Sequence, residues 1–175
     1  MPERLRRTGL ALVIAALTLL IDQGTKAAAQ STLSEQQLIP LLGDLLGLKL
    51  AFNPGSIFSL GADSTAVITL IGVGVTVCLF IAASRTRTTS AAVAFGFLLG
   101  GAVGNLTDRL FAPPAFGRGH VTDFLAYGDL FIGNLADVAL GIGAMILLGS
   151  ALTARRTPPR NAHERLPQPT KEIHP

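Results

Sequence analysis

Two carboxylates close enough to share one proton can hydrolyse an amide, one taking a proton from water while the other gives one to the carbonyl. This chain of 175 residues places polar side chains where such chemistry is possible. Asp22 and Lys26 stand four apart on one helical face. Asn105, Asp108 and Arg109 share a second face, and Asn134 and Asp137 a third. Asp123 follows Asp108 by fifteen residues. Most of these residues lie at the ends of uncharged runs, where an ionisable group is costly and marks a functional site by default. Asp137 enters its run by about two turns and is expected to be the deepest carboxylate.

Each residue also has a plainer reading. Asp22 with Lys26 makes a stabilising helical pair, and Asp108 beside Arg109 reads first as an ion pair holding a bundle. Asp123, on spacing alone, is equally a loop carboxylate. Cys78 lies in mid-run with no base near it and reads as a packing residue. His120 is a lone histidine, and His163 and His174 belong to a solvated tail. Gly96, Gly100 and Gly104 read as a seam of close helix packing. Ser56 or Ser59 with Lys26 would make a serine–lysine protease, but Asp22 favours the protonated lysine, which is no base.

The elements that must position these groups are apolar. Hydrophobic residues make up 49% of the chain and charged residues only 14%, against roughly 25% in a soluble domain. Four apolar segments emerge: 8–21, extended by 27–29, then 65–84, 88–107 and 130–154. The last three have the length of about 20 residues that a membrane-spanning helix needs. Lys26 is expected to snorkel outward from the end of the first. The arginines before that span and Ala27-Ala28-Ala29 after it resemble a cleavable secretory signal, but Asp22 and Lys26 interrupt the approach to a cleavage site. An uncleaved anchor is therefore expected. Ten of the fourteen basic residues fall on one side if both termini are cytoplasmic, which is the orientation expected. Residues 30–63, rich in leucine and broken by glycines, suit an interfacial amphipathic helix with some extended structure. Residues 111–129 form a second outer segment. The domain is read as 1–154, followed by a basic, proline-rich and disordered cytoplasmic tail, 155–175. The surplus of positive charge lies in that tail, so no nucleic-acid groove is expected.

Taken together, the polar blocks resemble the lipoprotein signal peptidases (signal peptidase II), the membrane aspartyl peptidases of bacteria. Asp22-Gln23-Gly24-Thr25-Lys26 is similar to the family's D-Q-x-T-K. Phe52-Asn53-Pro54-Gly55-Ser56-Ile57-Phe58-Ser59 is similar to N-x-G-x-x-F-S. Residues Gly100 to Arg109 match G-G-A-x-G-N-x-x-D-R, Val121 to Phe124 resemble V-x-D-F, and Asn134 to Asp137 resemble the end of F-N-x-A-D. The five blocks run in order over residues 22–137.

The resemblance implies an all-α membrane protein of four transmembrane helices with a small extracytoplasmic β-cradle and an interfacial helix. It makes Asp123 and Asp137 the catalytic pair. Asp22, Lys26, Asn53, Gly55, Asn105, Asp108, Arg109, Asn134 and Ala136 become the substrate-binding and supporting residues. The substrates implied are diacylglyceryl-modified prolipoproteins, cut before the lipidated cysteine at the outer face of the bacterial cytoplasmic (inner) membrane. Lipid surrounds the enzyme, no metal or cofactor is required, and a monomer is expected. Two departures stand out: Ile57 where the family has a small residue, and Gly133 where a phenylalanine normally precedes Asn134. A small channel or proton-coupled carrier, and a non-catalytic lipoprotein-binding member of the same fold, are the alternatives.

Overall fold

The structure is a computed structural model that describes residues 2–55 and 65–156, with side chains through Thr153. Among the described residues four helices are long and apolar enough to cross a membrane. They are α1 (Glu3–Thr32), α2 (Thr65–Ser84), α3 (Thr89–Phe111) and α4 (Leu135–Arg156). Four short strands complete the order: β1 (Ile39–Leu42) and β2 (Leu46–Asn53) between α1 and α2, and β3 (Val121–Tyr127) and β4 (Phe131–Gly133) between α3 and α4.

The helices pack through small residues. Their buried apolar positions are mostly alanines, among them Ala11, Ala15, Ala29, Ala92 and Ala94. Leu12, Val13, Leu17, Val67, Leu70 and Ile71 face outward, as a bilayer requires. The glycine seam is real and two-sided. A Cβ on Gly100 would stand 2.7 Å from the carbonyl of Ala15 in α1, and one on Gly101 would stand 2.6 Å from that of Ala136 in α4. Backbone therefore meets backbone on both sides of α3, which makes α3 the centre of the bundle. Thr88 caps it by accepting the Ala91 N–H at 3.2 Å. Within the spans, hydroxyls turn back onto the helix: Thr69 donates to the Thr65 carbonyl at 2.9 Å and Thr76 to that of Gly72 at 2.8 Å.

The strands form one antiparallel sheet in the order β1-β2-β3-β4. It joins the end of the bundle where α1 and α3 finish and α4 begins. Ala51 pairs with Asp123 and Asn53 with Val121, while Leu125 pairs with Gly133 and Tyr127 with Phe131. Because side chains alternate along a strand, this register brings Asp123, Leu125, Tyr127, Phe131 and Gly133 to one face.

Several expectations change. α1 runs unbroken through Asp22 and Lys26, as the extension by 27–29 anticipates, and continues to Thr32. Lys26 does not snorkel: it is 2% exposed. Among the described residues of 30–63 no separate helix follows α1. Leu41 and Leu42 lie instead on β1, every residue of which is exposed, and Leu46, Leu48 and Leu50 on β2. Gly43, at a positive φ of 51°, turns the chain between the two strands. The fourth span starts five residues later than its apolar run, because Phe131–Gly133 form β4. Cys78 is exposed on α2 and packs nothing inside the bundle. Ser56, Ile57, Ser59, His163 and His174 lie outside the described residues, as does the tail from residue 157. The first two tail residues, Arg155 and Arg156, continue α4.

Candidate active site

β3 carries Asp123 into the interior, where it is 3% exposed. Two asparagines hold it from opposite sides. Asn53, at the end of β2, donates its Nδ2 to Asp123 Oδ2 at 3.1 Å. Asn134, between β4 and α4, donates its Nδ2 to Asp123 Oδ1 at 2.6 Å. Burial pushes the Asp123 carboxyl up to about 6, and the charge of Asp137 adds to that effect. The two amide donors and the Lys26 charge oppose it without cancelling it.

Asp137 occupies the first turn of α4. It exchanges bonds with Asn134 in a reciprocal cap. The Asp137 N–H donates to Asn134 Oδ1 at 3.1 Å, and the Asn134 N–H donates to Asp137 Oδ2 at 3.2 Å. Asn105 Nδ2 donates to the other oxygen, Oδ1, at 2.9 Å. Asp137 is thus at a helix mouth and exposed, not two turns inside. The deepest carboxylate is Asp22, with no exposed surface.

A buried ion cluster lies beneath the pair. Lys26 Nζ stands 2.8 Å from Asp22 Oδ2 and 2.9 Å from Asp108 Oδ2, and donates to Asn105 Oδ1 at 3.0 Å. Each carboxylate also fixes backbone. Asp22 Oδ1 accepts the Ala136 N–H at 2.9 Å, at the start of α4, and Asp108 Oδ2 accepts the Thr122 N–H at 3.1 Å, beside Asp123. Lys26 therefore ties α1 and α3 to the two segments that bear the candidate pair. The expected Asp108–Arg109 ion pair does not form, since adjacent helical residues point about 100° apart. Asp108 is paired to Lys26. Arg109 reaches the Pro54 carbonyl at 3.4 Å instead.

Each asparagine has its amide orientation fixed by a donor at its oxygen. The Gly55 N–H donates to Asn53 Oδ1 at 2.8 Å, Lys26 occupies Asn105 Oδ1, and the Asp137 N–H occupies Asn134 Oδ1. Every Nδ2 is then left to face a carboxylate. Gly55 can serve because it adopts φ 97°, a left-handed backbone that other residues avoid, and a Cβ there would press on Ile68 and Arg109. Ala136 contributes its N–H and its small size: it is fully buried against Gly104.

Two contributors, Gln23 and Gln30, were given no role from the sequence. Gln23 donates its Nε2 to Asp108 Oδ1 at 3.1 Å and to the Gly104 carbonyl at 3.2 Å. Gln30 donates its Nε2 to Thr122 Oγ1 at 2.7 Å. Gln23 and Gln30 are seven apart, two turns along one face of α1, and that spacing was the available signal. Among the described residues no three His, Cys, Asp or Glu side chains converge as a metal site. The site offers one enclosed carboxyl and one open carboxylate, each bonded by Asn134, the first through its side chain and the second through its backbone N–H, an arrangement able to supply an acid and a base to a single water.

A family model described as signal peptidase (SPase) II matches residues 14–153 of the chain. A lipoprotein signal peptidase of Leifsonia xyli subsp. xyli is 48% identical over 165 residues, covering 89% of this chain and 76% of that protein. One from Mycobacterium avium is 42% identical over 147 residues, covering 84% and 79%. Two solved structures, both described as bacterial membrane enzymes, share the fold. One has a TM-score of 0.67 at 24% identity and covers 87% of this chain and 93% of its own. The other has a TM-score of 0.64 at 27% identity, covering 82% and 93%.

Proposed function

The chain belongs to the signal peptidase II family, and on that premise we propose that Asp123 and Asp137 perform its peptidase reaction as an aspartic pair. It is a multi-pass membrane signal peptidase; the relatives do not favour a carrier or a scaffold. One observation carries the assignment of the pair: a single buried residue, Asn134, bonds both carboxylates, Asp123 through its side-chain Nδ2 and Asp137 through its backbone N–H, so their separation and orientation are set together.

The reaction needs only this chain and water. Protonated Asp123 donates to the scissile carbonyl oxygen, and Asp137 takes a proton from the attacking water. The C–O bond forms and a tetrahedral intermediate results. Asp137 then returns its proton to the leaving nitrogen as the C–N bond breaks, and Asp123 recovers its own as the carbonyl reforms. Burial supports Asp123 as the acid, since its carboxyl is the one raised to about 6. Asp137, more open, supports the role of base beside an entering water.

The relatives are lipoprotein signal peptidases, which supports prolipoproteins as substrates. The diacylglyceryl group and the cut before the lipidated cysteine follow from the resemblance. Arg4, Arg6, Arg7, Arg85 and Arg87 lie at the end of the bundle away from the pair, which supports cytoplasmic termini and an outer-face site. The test is cleavage of a diacylglyceryl-modified prolipoprotein by purified protein in detergent. Wild type should cut, while Asp123→Asn and Asp137→Asn, folded by thermal melt, should not. A cutting variant would remove that aspartate from the mechanism.

A further inference from the structure

We propose that the end of the bundle opposite the carboxylates holds a headgroup site for an anionic phospholipid. Arg4, Arg6, Arg7, Arg85 and Arg87 meet there, and among the described residues Glu3 is the one carboxylate beside them. Some of this charge has a structural use. Arg4 Nε donates to the Ser84 carbonyl at 3.1 Å, and Arg7 donates to the Arg87 carbonyl and pairs with Glu3, which holds α1 to the turn between α2 and α3. Arg6 differs. Among the described residues its side chain has no ion pair and no hydrogen bond.

Beside it lies a cavity of about 460 Å³ between the first two turns of α1 and the first turn of α3. Glu3, Arg6, Arg7, Leu10 and Thr89 line it. The lining is graded: charged groups stand at the helix ends and Leu10 lies one turn deeper. An amphiphile with a phosphodiester head matches that gradient, whereas a free anion would meet Leu10 with nothing apolar of its own. The helices are long enough to cross a membrane, so this end lies at headgroup depth. A guanidinium there binds phosphate strongly, and each basic residue near an anionic surface contributes about 1 kcal/mol, roughly fivefold in affinity.

Native mass spectrometry of the full chain in detergent tests this, with phosphatidylglycerol, phosphatidylcholine or free glycerol phosphate added. Phosphatidylglycerol should be retained about fivefold or more over phosphatidylcholine. Arg6→Gln should lower that retention about fivefold, while Arg118→Gln, which removes the same charge at the opposite end, should leave it unchanged. Equal retention of the two lipids, or equal loss in the two variants, would overturn the site. Competition by free glycerol phosphate at matching concentration would overturn a lipid ligand. These readouts do not involve cleavage, so they stand or fall apart from the aspartic mechanism.

Discussion

Asn134 donates to Asp123 at 2.6 Å through Nδ2 while its Oδ1 accepts the backbone N–H of Asp137 at 3.1 Å. The two contacts have separable consequences. Serine caps a helix about as well as asparagine, whereas alanine costs about 1 kcal/mol more. Neither can donate an amide proton to Asp123. Asn134→Ser and Asn134→Ala should therefore lose kcat alike, by about 10- to 100-fold, the worth of one hydrogen bond to a charged group. Only Asn134→Ala should also lose the cap. Thermal melts in detergent beside initial rates separate the effects. Activity that tracks stability across the two variants would reduce Asn134 to a cap.

Lys26 stands between two carboxylates with almost no surface of its own. Removing one partner of a buried ion pair leaves an uncompensated charge and costs about 3–5 kcal/mol. Lys26→Met should destabilise the protein by about that much, because Asp22 and Asp108 would then repel each other unscreened. Lys26→Met combined with Asp22→Asn and Asp108→Asn removes the whole charge cluster and should recover much of the loss. Melts of the single and triple variants decide this. A single variant as stable as wild type would mean that water or an ion replaces the ammonium.

The raised Asp123 carboxyl makes stability depend on pH with a defined sign. Its folded pKa of about 6 exceeds the ordinary carboxylate value of about 3.9. Such a group stabilises the fold fully below about pH 4, and that contribution is lost as pH rises through about 6. Asp123→Asn cannot ionise and escapes the loss. Its melting temperature relative to wild type should rise from pH 5 to pH 7.5. In the wild type, cleavage should decline above about pH 6 as the acid deprotonates. In Asn134→Ser that decline should move to higher pH, because the lost donor had favoured the charged form. A pH-independent difference between wild type and Asp123→Asn would contradict the burial argument.

The spans were legible because uncharged length is a strong signal: 65–84 matches α2 residue for residue. The misplaced start of α4 has a physical cause. Leu130-Phe131-Ile132 continues the apolar run of the helix, and periodicity cannot distinguish three strand residues from a helical turn. The same limit left 30–63 open to both an interfacial helix and extended structure, and β1 and β2 bear out the extended part. Asp22 with Lys26 was visible as a local pair, whereas the second partner of Lys26, Asp108, lies on another helix. Asn53 entered only through the family resemblance. Its tie to Asp123 depends on the pairing of Ala51 with Asp123, a register that no local spacing encodes.

Gly133 lies beside the open carboxylate, and its missing side chain is a testable feature of this chain. A Cβ there would stand 3.0 Å from Asp137 Oδ2 and 3.4 Å from the ring of Phe131, which itself stacks on Tyr127 with ring centres 4.8 Å apart. The ring already covers the space that a larger residue would enter, so an added methyl must press on Asp137. The backbone at Gly133 is not left-handed, and alanine there carries no conformational penalty. Gly133→Ala should therefore keep its melting temperature within a few degrees while the carboxylate is displaced from its bond to the Asn134 N–H. A loss of that geometry should lower kcat by about tenfold, the scale of one hydrogen bond of about 1.4 kcal/mol, with a smaller change in KM. Phe131→Ala in the same background frees the space and should restore part of kcat. Full activity in Gly133→Ala alone would show that Asp137 can shift without cost, and the tight placement argued for the pair would be wrong.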